Sequence, residues 1–186
     1  MHQFPILGIC SLASGMGKTT LLARLIPFLG DQGIRVSVIK QTHALFDVDH
    51  PGKDSYRMRE AGAAQVLLSS PNRWALMTEE TLGESDDRLM QMVRHLDGSM
   101  ADLVLVEGFR HAPIPKIEVY RASCGKPPLA GQDEHVIAIA SDMPILLQKN
   151  RLDLNHPEEI GRFILHWLSE KQEVRGNAFP AFSSSK

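Results

Sequence analysis

The residues best suited to chemistry stand together near the N-terminus, where Ser14-Gly15-Met16-Gly17-Lys18-Thr19-Thr20 contains the Gly-Lys-Ser/Thr half of a phosphate-binding loop. The full pattern asks for a glycine where this chain has Leu12. Gly15 and Gly17 still lack a Cβ, so successive backbone N–H groups can approach an anion closely. In that arrangement Lys18 reaches the β- and γ-phosphates of a nucleotide, Thr19 gives its hydroxyl to Mg²⁺, and Thr20 bonds the α-phosphate. The plainer reading of the same residues is a glycine-rich turn with an exposed lysine and a threonine near a helix start.

A loop of this kind works only between a strand and a helix, and the flanking residues supply both. Ile6–Ser11 reads as an apolar strand, and Leu21, Leu22, Leu25, Ile26 and Leu29 recur at helical spacing. A helix beginning near Lys18 adds unpaired N–H groups and the positive end of its dipole. Pro27 predicts a kink within it. Gly33 is a natural stop, and Ile34–Lys40 reads as a second buried strand, so that strand, helix and strand suggest a right-handed parallel crossover. Further strands are expected at Gln65–Ser69, Trp74–Thr78, Asp102–Phe109, Ile114–Arg121 and Val136–Ala140. Helices are expected over Tyr56–Ala64 and about Asp86–Leu96, with Leu89, Met92, Val93 and Leu96 on one face of the latter. The last helix follows a capping box, Asn155-x-x-Glu158, and turns Ile160, Phe163, Ile164, Trp167 and Leu168 inward.

Carboxylates recur where strands of an α/β sheet should end, which is the edge that binds ligands. Asp47, Asp49 and Asp54 lie in the polar loop between Lys40 and Ser55; they either help position Mg²⁺ or solvate the loop, with Asp54 as a helix cap. His43 and His50 nearby read as loop residues rather than a transition-metal pair. Glu107 closes the strand DLVLVEGF and meets the magnesium of a nucleotide, unless it is only a strand end before a glycine turn. Asp142 follows a strand too. Its two oxygens match the paired N1–H and N2–H₂ donors of guanine, and the competing reading is a turn-forming residue before Pro144.

With 186 residues, 43% apolar and 23% charged, the chain suits one domain, taken as a nucleotide-binding domain over 1–172 with a flexible tail over 173–186. A net charge of −2 argues against broad nucleic-acid binding, so an anionic ligand must be held by local groups. Cys10 reads as core filler and Cys124 as incidental, since neither has metal-ligand spacing around it. No apolar run is long enough to span a membrane and no secretory segment opens the chain, so a cytoplasmic protein is expected.

Taken in order, ASGMGKTTLL, RVSVIK, the loop ALFDVDHPGKDSYRMREAGAAQ, RWALMTE, DLVLVEGF and PKIEVYR resemble the MobB family of molybdopterin-guanine dinucleotide biosynthesis proteins. The resemblance runs from about residue 6 to 170, and a missing first glycine is also a feature of that family's loop. Gln41 and Ala44 stand where the family often has histidines. The resemblance implies an α/β fold of the P-loop NTPase type, a predominantly parallel sheet flanked by helices. It also implies a GTP- and Mg²⁺-binding homodimer with weak GTPase activity. Such a protein acts as an adaptor in attaching GMP to molybdopterin, beside a nucleotidyltransferase and a molybdenum-inserting enzyme. With that function, GTP is expected on Ser14 to Thr20 with Asp142 at the base, the metal on Thr19, Asp49 and Glu107, and the catalytic roles on Lys18 and Glu107. Arg110 is a candidate for stabilising transition-state charge. The alternative from another class is a P-loop small-molecule kinase or ATP-dependent synthetase, which would prefer ATP and respond to one metabolite.

Overall fold

A computed structural model describes residues 4–42, 48–79 and 87–175. In chain order the strands are β1 (Ile6–Cys10), β2 (Val36–Lys40), β3 (Gln65–Ser70), β4 (Arg73–Thr78), β5 (Leu103–Glu107), β6 (Lys116–Tyr120), β7 (Val136–Ser141) and β8 (Asn150–Asp153). The helices are α1 (Lys18–Asp31), α2 (Asp54–Glu60), α3 (Arg88–Arg94) and α4 (Pro157–Arg175). The chain divides into two compact units, 1–41 with 89–186, and 42–88.

The larger unit is built on a six-stranded sheet of order β2-β5-β1-β6-β7-β8, parallel at every pairing. Parallel strands are covered on both faces, which is why β1 and β5 read as unbroken apolar runs and are buried throughout. Side chains alternate between the faces. Leu7, Ile9, Leu103, Leu105, Ile117, Val119, Ala138 and Ala140 pack with Leu21, Leu22, Leu25 and Leu29 of α1 and Ile160, Ile164, Trp167 and Leu168 of α4. Ile6, Val104 and Val106 face the other way and meet Leu89 and Val93 of α3. The leucine and isoleucine spacing of α1 and α4 therefore places both helices on one side, at roughly 1.5–3 kcal/mol for each large side chain fully removed from water.

The fold is the mostly parallel α/β sheet that the family resemblance implies, but several elements differ in detail. β2 is an edge strand with a half-exposed residue pattern, not a buried one, because β5 is inserted between it and β1. Gln65–Ser70 and Arg73–Thr78 form a separate antiparallel hairpin in the smaller unit instead of joining the main sheet. β8 has no counterpart among the expected strands. Its sequence, NRLD, buries only Leu152, so it carries almost no alternation to read.

Helix ends show the same kind of correction. α1 continues through Pro27 to Asp31, and Gly33, at φ 78°, closes the turn by donating to Gly30 O at 2.9 Å. Asp54 is the first residue of α2, whose N-cap is Lys53. The capping box at Asn155 does not form, since α4 starts at Pro157, a favoured first helical residue. Asp153 organises that turn, accepting from Asn155 N at 2.8 Å and lying 2.9 Å from His156 Nδ1. α3 ends at Arg94, short of Leu96, while its expected start at Asp86 lies outside the described residues, as do His43, Asp47 and residues 176–186 of the expected tail.

At the end of the sheet opposite the strands' carboxyl ends, Arg35 clamps β2 to β5. Its Nε and Nη2 donate to the two oxygens of Asp102 at 3.0 and 2.8 Å, and its own N–H adds a third bond at 2.9 Å. The hydrogen bonds from Arg35 hold the Asp102 carboxyl below its usual range.

Candidate functional site

The order β5-β1-β6 puts the loop after β1 between the ends of two neighbouring strands, the crevice where parallel sheets bind ligands. Seven residues join Cys10 to Lys18. Gly17, the N-cap of α1, has φ 100°, a conformation that a side chain would strain. No side chain caps this helix and its first turn has no acidic residue, so its opening N–H groups remain directed at the loop.

Ser14, Gly15, Gly17, Lys18, Thr19, Thr20 and Glu107 line one cavity of about 370 Å³. Seven of the residues singled out in the sequence thus come together, although one lies about ninety positions from the rest. The β1–β5 register sets Ile9 beside Glu107, and the parity of Leu103 and Leu105 turns Glu107 toward the face that α1 covers. Thr19 Oγ1 donates to Glu107 Oε1 at 2.6 Å. Lys18 folds across its own loop and donates to Ser11 Oγ at 2.8 Å, while Ser11 donates to Ala13 O at 2.6 Å.

Four other candidates are placed differently. The Met16 side chain packs against the large core, and its carbonyl accepts from Arg121 Nε at 3.2 Å. Asp142, just beyond β7, pairs with the same guanidinium, Arg121 Nη1 to Oδ2 at 2.6 Å. The turn there is held instead by Ser141, whose Oγ accepts from Met143 N at 3.2 Å. Asp49 belongs to the smaller unit, where it is buried and accepts from Ser55 Oγ and His50 N, each at 3.0 Å, with Arg59 Nε at 3.8 Å. Asp54 is exposed and makes a loose contact with Arg57 at 3.9 Å.

Several residues outside the phosphate-loop motif, Arg110 among them, hold this site together. Lys40, paired in register with Glu107, brings Nζ to 3.4 Å from both Glu107 Oε2 and Thr19 Oγ1. Arg110 donates to Leu12 O at 3.4 Å and Arg121 to Met16 O, so guanidinium groups from beyond β5 and β6 brace opposite ends of the loop. Gln41 accepts the N–H of Phe109 at 2.7 Å, and Phe109 has φ 46°, a strained conformation for a bulky residue directly after the Glu107-Gly108 turn.

Beneath the loop, Lys116 is buried, and its ammonium donates to Arg110 O and Ala112 O at 2.9 Å each and to Asp133 Oδ2 at 2.6 Å. Beside it the buried Glu118 accepts from Leu129 N and Ala130 N at 2.9 and 2.8 Å. Burial pushes the Glu118 carboxyl upward, against those two bonds. The signal for this pair was two charged residues at alternate positions, Lys116 and Glu118, of an otherwise apolar strand. Cys10 is an inert core residue, its thiol pushed up to about 12 chiefly by burial and then by the Glu118 carboxylate.

Thr19 and Glu107 suit Mg²⁺ chemically, since they present two hard oxygens 2.6 Å apart, one of them anionic. Adjacent oxygens around an octahedral Mg²⁺ with bonds of about 2.1 Å are about 3.0 Å apart, a small adjustment from this spacing. Among the described residues no group of three or more His, Cys, Asp or Glu side chains is placed to hold a metal. A phosphate-bound magnesium needs none, because waters and phosphate oxygens complete its shell. Among the described residues, no helix is long and apolar enough to cross a membrane.

The family model for molybdopterin guanine dinucleotide synthesis protein B, MobB, matches residues 6–142. The molybdopterin-guanine dinucleotide biosynthesis adapter protein of Escherichia coli (strain K12) is 48% identical over 159 residues, covering 85% of this chain and 90% of its own length. That of Haemophilus influenzae is 48% identical over 167 residues, covering 90% and 91%. A crystal structure of molybdopterin-guanine biosynthesis protein B is similar at a TM-score of 0.67 and 29% identity, over 87% of this chain and 99% of that one. Bacillus subtilis MobB, at 22% identity and a TM-score of 0.65 over 88% and 97%, shares the fold.

Proposed function

Since this chain belongs to the MobB family of molybdopterin guanine dinucleotide synthesis proteins, we propose that it is a GTP-binding adaptor for the step that attaches GMP to molybdopterin. The observation that carries the nucleotide part is the loop between β1 and α1, where Lys18, Thr19 and Glu107 meet in one cavity beside uncapped helix N–H groups. Ser14 to Thr20 take the phosphates, with backbone N–H groups and Lys18 as donors. Thr19 and Glu107 hold Mg²⁺, which when bound neutralises charge on the β- and γ-phosphates. We place Asp142 at the guanine base.

Hydrolysis in this reading is in-line attack of water at the γ-phosphorus, with Lys18 stabilising the charge that gathers on the phosphate oxygens. It is slow because, among the described residues lining the cavity, Glu107 is the only acid, and it already accepts the Thr19 hydroxyl, so it is not poised to take a proton from water. Arg110, braced on Leu12 O, is a candidate to complete charge stabilisation. The protein is taken to act in the cytoplasm as a homodimer, with the nucleotidyltransferase and the molybdenum-inserting enzyme as partners, and with no nucleic acid or membrane role.

The deciding experiment is competition of GTP and ATP for the purified protein with and without Mg²⁺, followed by turnover with those partners added. Preference for GTP and a response to partner proteins are expected; preference for ATP with acceleration by one metabolite would replace the adaptor with a kinase or synthetase. Glu107→Gln keeps the shape and removes the charge, so nucleotide affinity should become much less responsive to Mg²⁺. An unchanged magnesium titration would remove Glu107 from the metal site.

Asp142→Asn addresses the base. An amide donates where the carboxylate only accepts, so discrimination against xanthine should shrink while phosphate contacts persist. Because Arg121 donates to Asp142, a base read by that carboxylate must displace the guanidinium or share the carboxylate with it. Equal weakening of guanine, xanthine and adenine nucleotides would make Asp142 an anchor for Arg121 and the loop, with the base read elsewhere.

A further inference from the structure

Lys40 stands where a cation belongs. Its ammonium is 3.4 Å from Thr19 Oγ1 and 3.4 Å from Glu107 Oε2, so the two oxygens of Glu107 divide between a hydroxyl proton and a positive charge. The placement follows from the sheet, because the β2–β5 register sets Lys40 directly beside Glu107 at the strands' carboxyl ends. The stem is half exposed, and both contacts are long, so the ammonium is held in place by charge more than by fixed geometry. A divalent ion on Thr19 and Glu107 would face that ammonium at short range, and the two charges repel. Occupancy by one therefore displaces the other.

Resting on the nucleotide reading above, we propose that Lys40 is a built-in counter-ion of the metal seat that also lets the site hold a nucleoside triphosphate without metal. With no ion bound, Lys40 neutralises Glu107, which would otherwise repel the phosphates across the cavity. Its flexible four-carbon stem lets the ammonium turn from the carboxylate to the polyphosphate, where with Lys18 it replaces part of the charge that Mg²⁺ supplies. When the metal is present, Lys40 is moved off the seat and contributes little to affinity. Lys40 is thus a nucleotide-retaining residue under low magnesium, and its effect is conditional on the metal.

The test is equilibrium binding of a fluorescent GTP analogue to the full chain, in Mg²⁺ and in excess EDTA, for wild type, Lys40→Met and Lys40→Arg. Chelation should weaken wild-type binding about tenfold and Lys40→Met binding a further ten- to hundredfold, the range of a charge-assisted contact. In Mg²⁺ the two proteins should agree within about threefold, and Lys40→Arg should recover the wild-type response to chelation. The same chelation penalty in wild type and Lys40→Met would overturn the inference, as would an equal loss in Mg²⁺ and EDTA, which describes an ordinary phosphate contact. Abolition of wild-type binding by EDTA overturns it without any variant. Failure of wild type to bind in Mg²⁺ is a different result, because it removes the nucleotide reading itself.

Discussion

Lys18→Ala is expected to weaken GTP binding about a hundredfold and GDP binding about tenfold, because a charge-assisted contact contributes roughly 1.5–3 kcal/mol and the triphosphate engages the ammonium with one more phosphate. This ammonium donates to Ser11 Oγ, a local contact at 2.8 Å that a phosphate can replace. Ser11 keeps its own bond to Ala13 O when the lysine is gone, so the folded state should be little affected. The predicted signature is thus a binding defect without a stability defect. Calorimetric titration of both nucleotides, beside a thermal melt, measures the two together. Equal losses for the di- and triphosphate would place Lys18 away from the terminal phosphate; no loss for either would leave the loop as a glycine turn.

The largest stability effect is expected from Lys116→Met, at about 3 kcal/mol, because removing one partner of a buried charged network strands the others. Lys116 gives its three donors to Arg110 O, Ala112 O and Asp133, and methionine keeps much of the volume while supplying none of them. The estimate sits at the low end for such deletions because Asp133 is partly exposed and water can reach it. Gly8 shows how closely this side chain is packed, since a Cβ there would lie 2.7 Å from Lys116 Cγ. Urea unfolding should show a lower midpoint at an unchanged slope, and a loss below about 1 kcal/mol would mean that water satisfies the stranded groups.

That loss should also depend on pH. Burial pushes the Asp133 carboxyl upward, but the hydrogen bond from Lys116 and the backbone bond from His135 outweigh it and leave the group below its usual range. A carboxyl lowered in the folded state contributes stability above its unfolded pKa, about 3.9, and loses it as pH falls through the folded value. The gap between wild type and Lys116→Met should therefore narrow in acid, below about pH 4. The site should feel the change as well, because Arg110 and Ala112 follow Glu107 and the strained Phe109 by a few residues. Weaker magnesium-dependent binding is the expected companion effect.

Local chemistry made the loop legible. A strand, two glycines, Lys18 and Thr19, then a 3.6-residue apolar stripe describe one continuous stretch whose geometry is set by neighbours in sequence, and α1 begins at Lys18 as that pattern requires. Glu107 was legible for a related reason, since four apolar residues before it marked a buried strand and therefore its end. The apolar period likewise recovered β1, β5, β6, β7 and the inward face of α4, because burial on a sheet imposes its period on any chain that folds this way.

Which strands lie side by side is settled by the folded sheet alone. Ile34–Lys40 read as a buried strand, yet β5 lies between it and β1 and leaves β2 at the edge, with Lys40 beside Glu107. Pairing across more than sixty residues is chosen by the whole sheet's packing and leaves no trace in local periodicity, so neither the Lys40 contact nor the hold of Arg121 on both Met16 and Asp142 was readable in advance. The residues of the phosphate loop are determined by sequence because they are consecutive; the cations around it are determined by register, which belongs to the folded sheet.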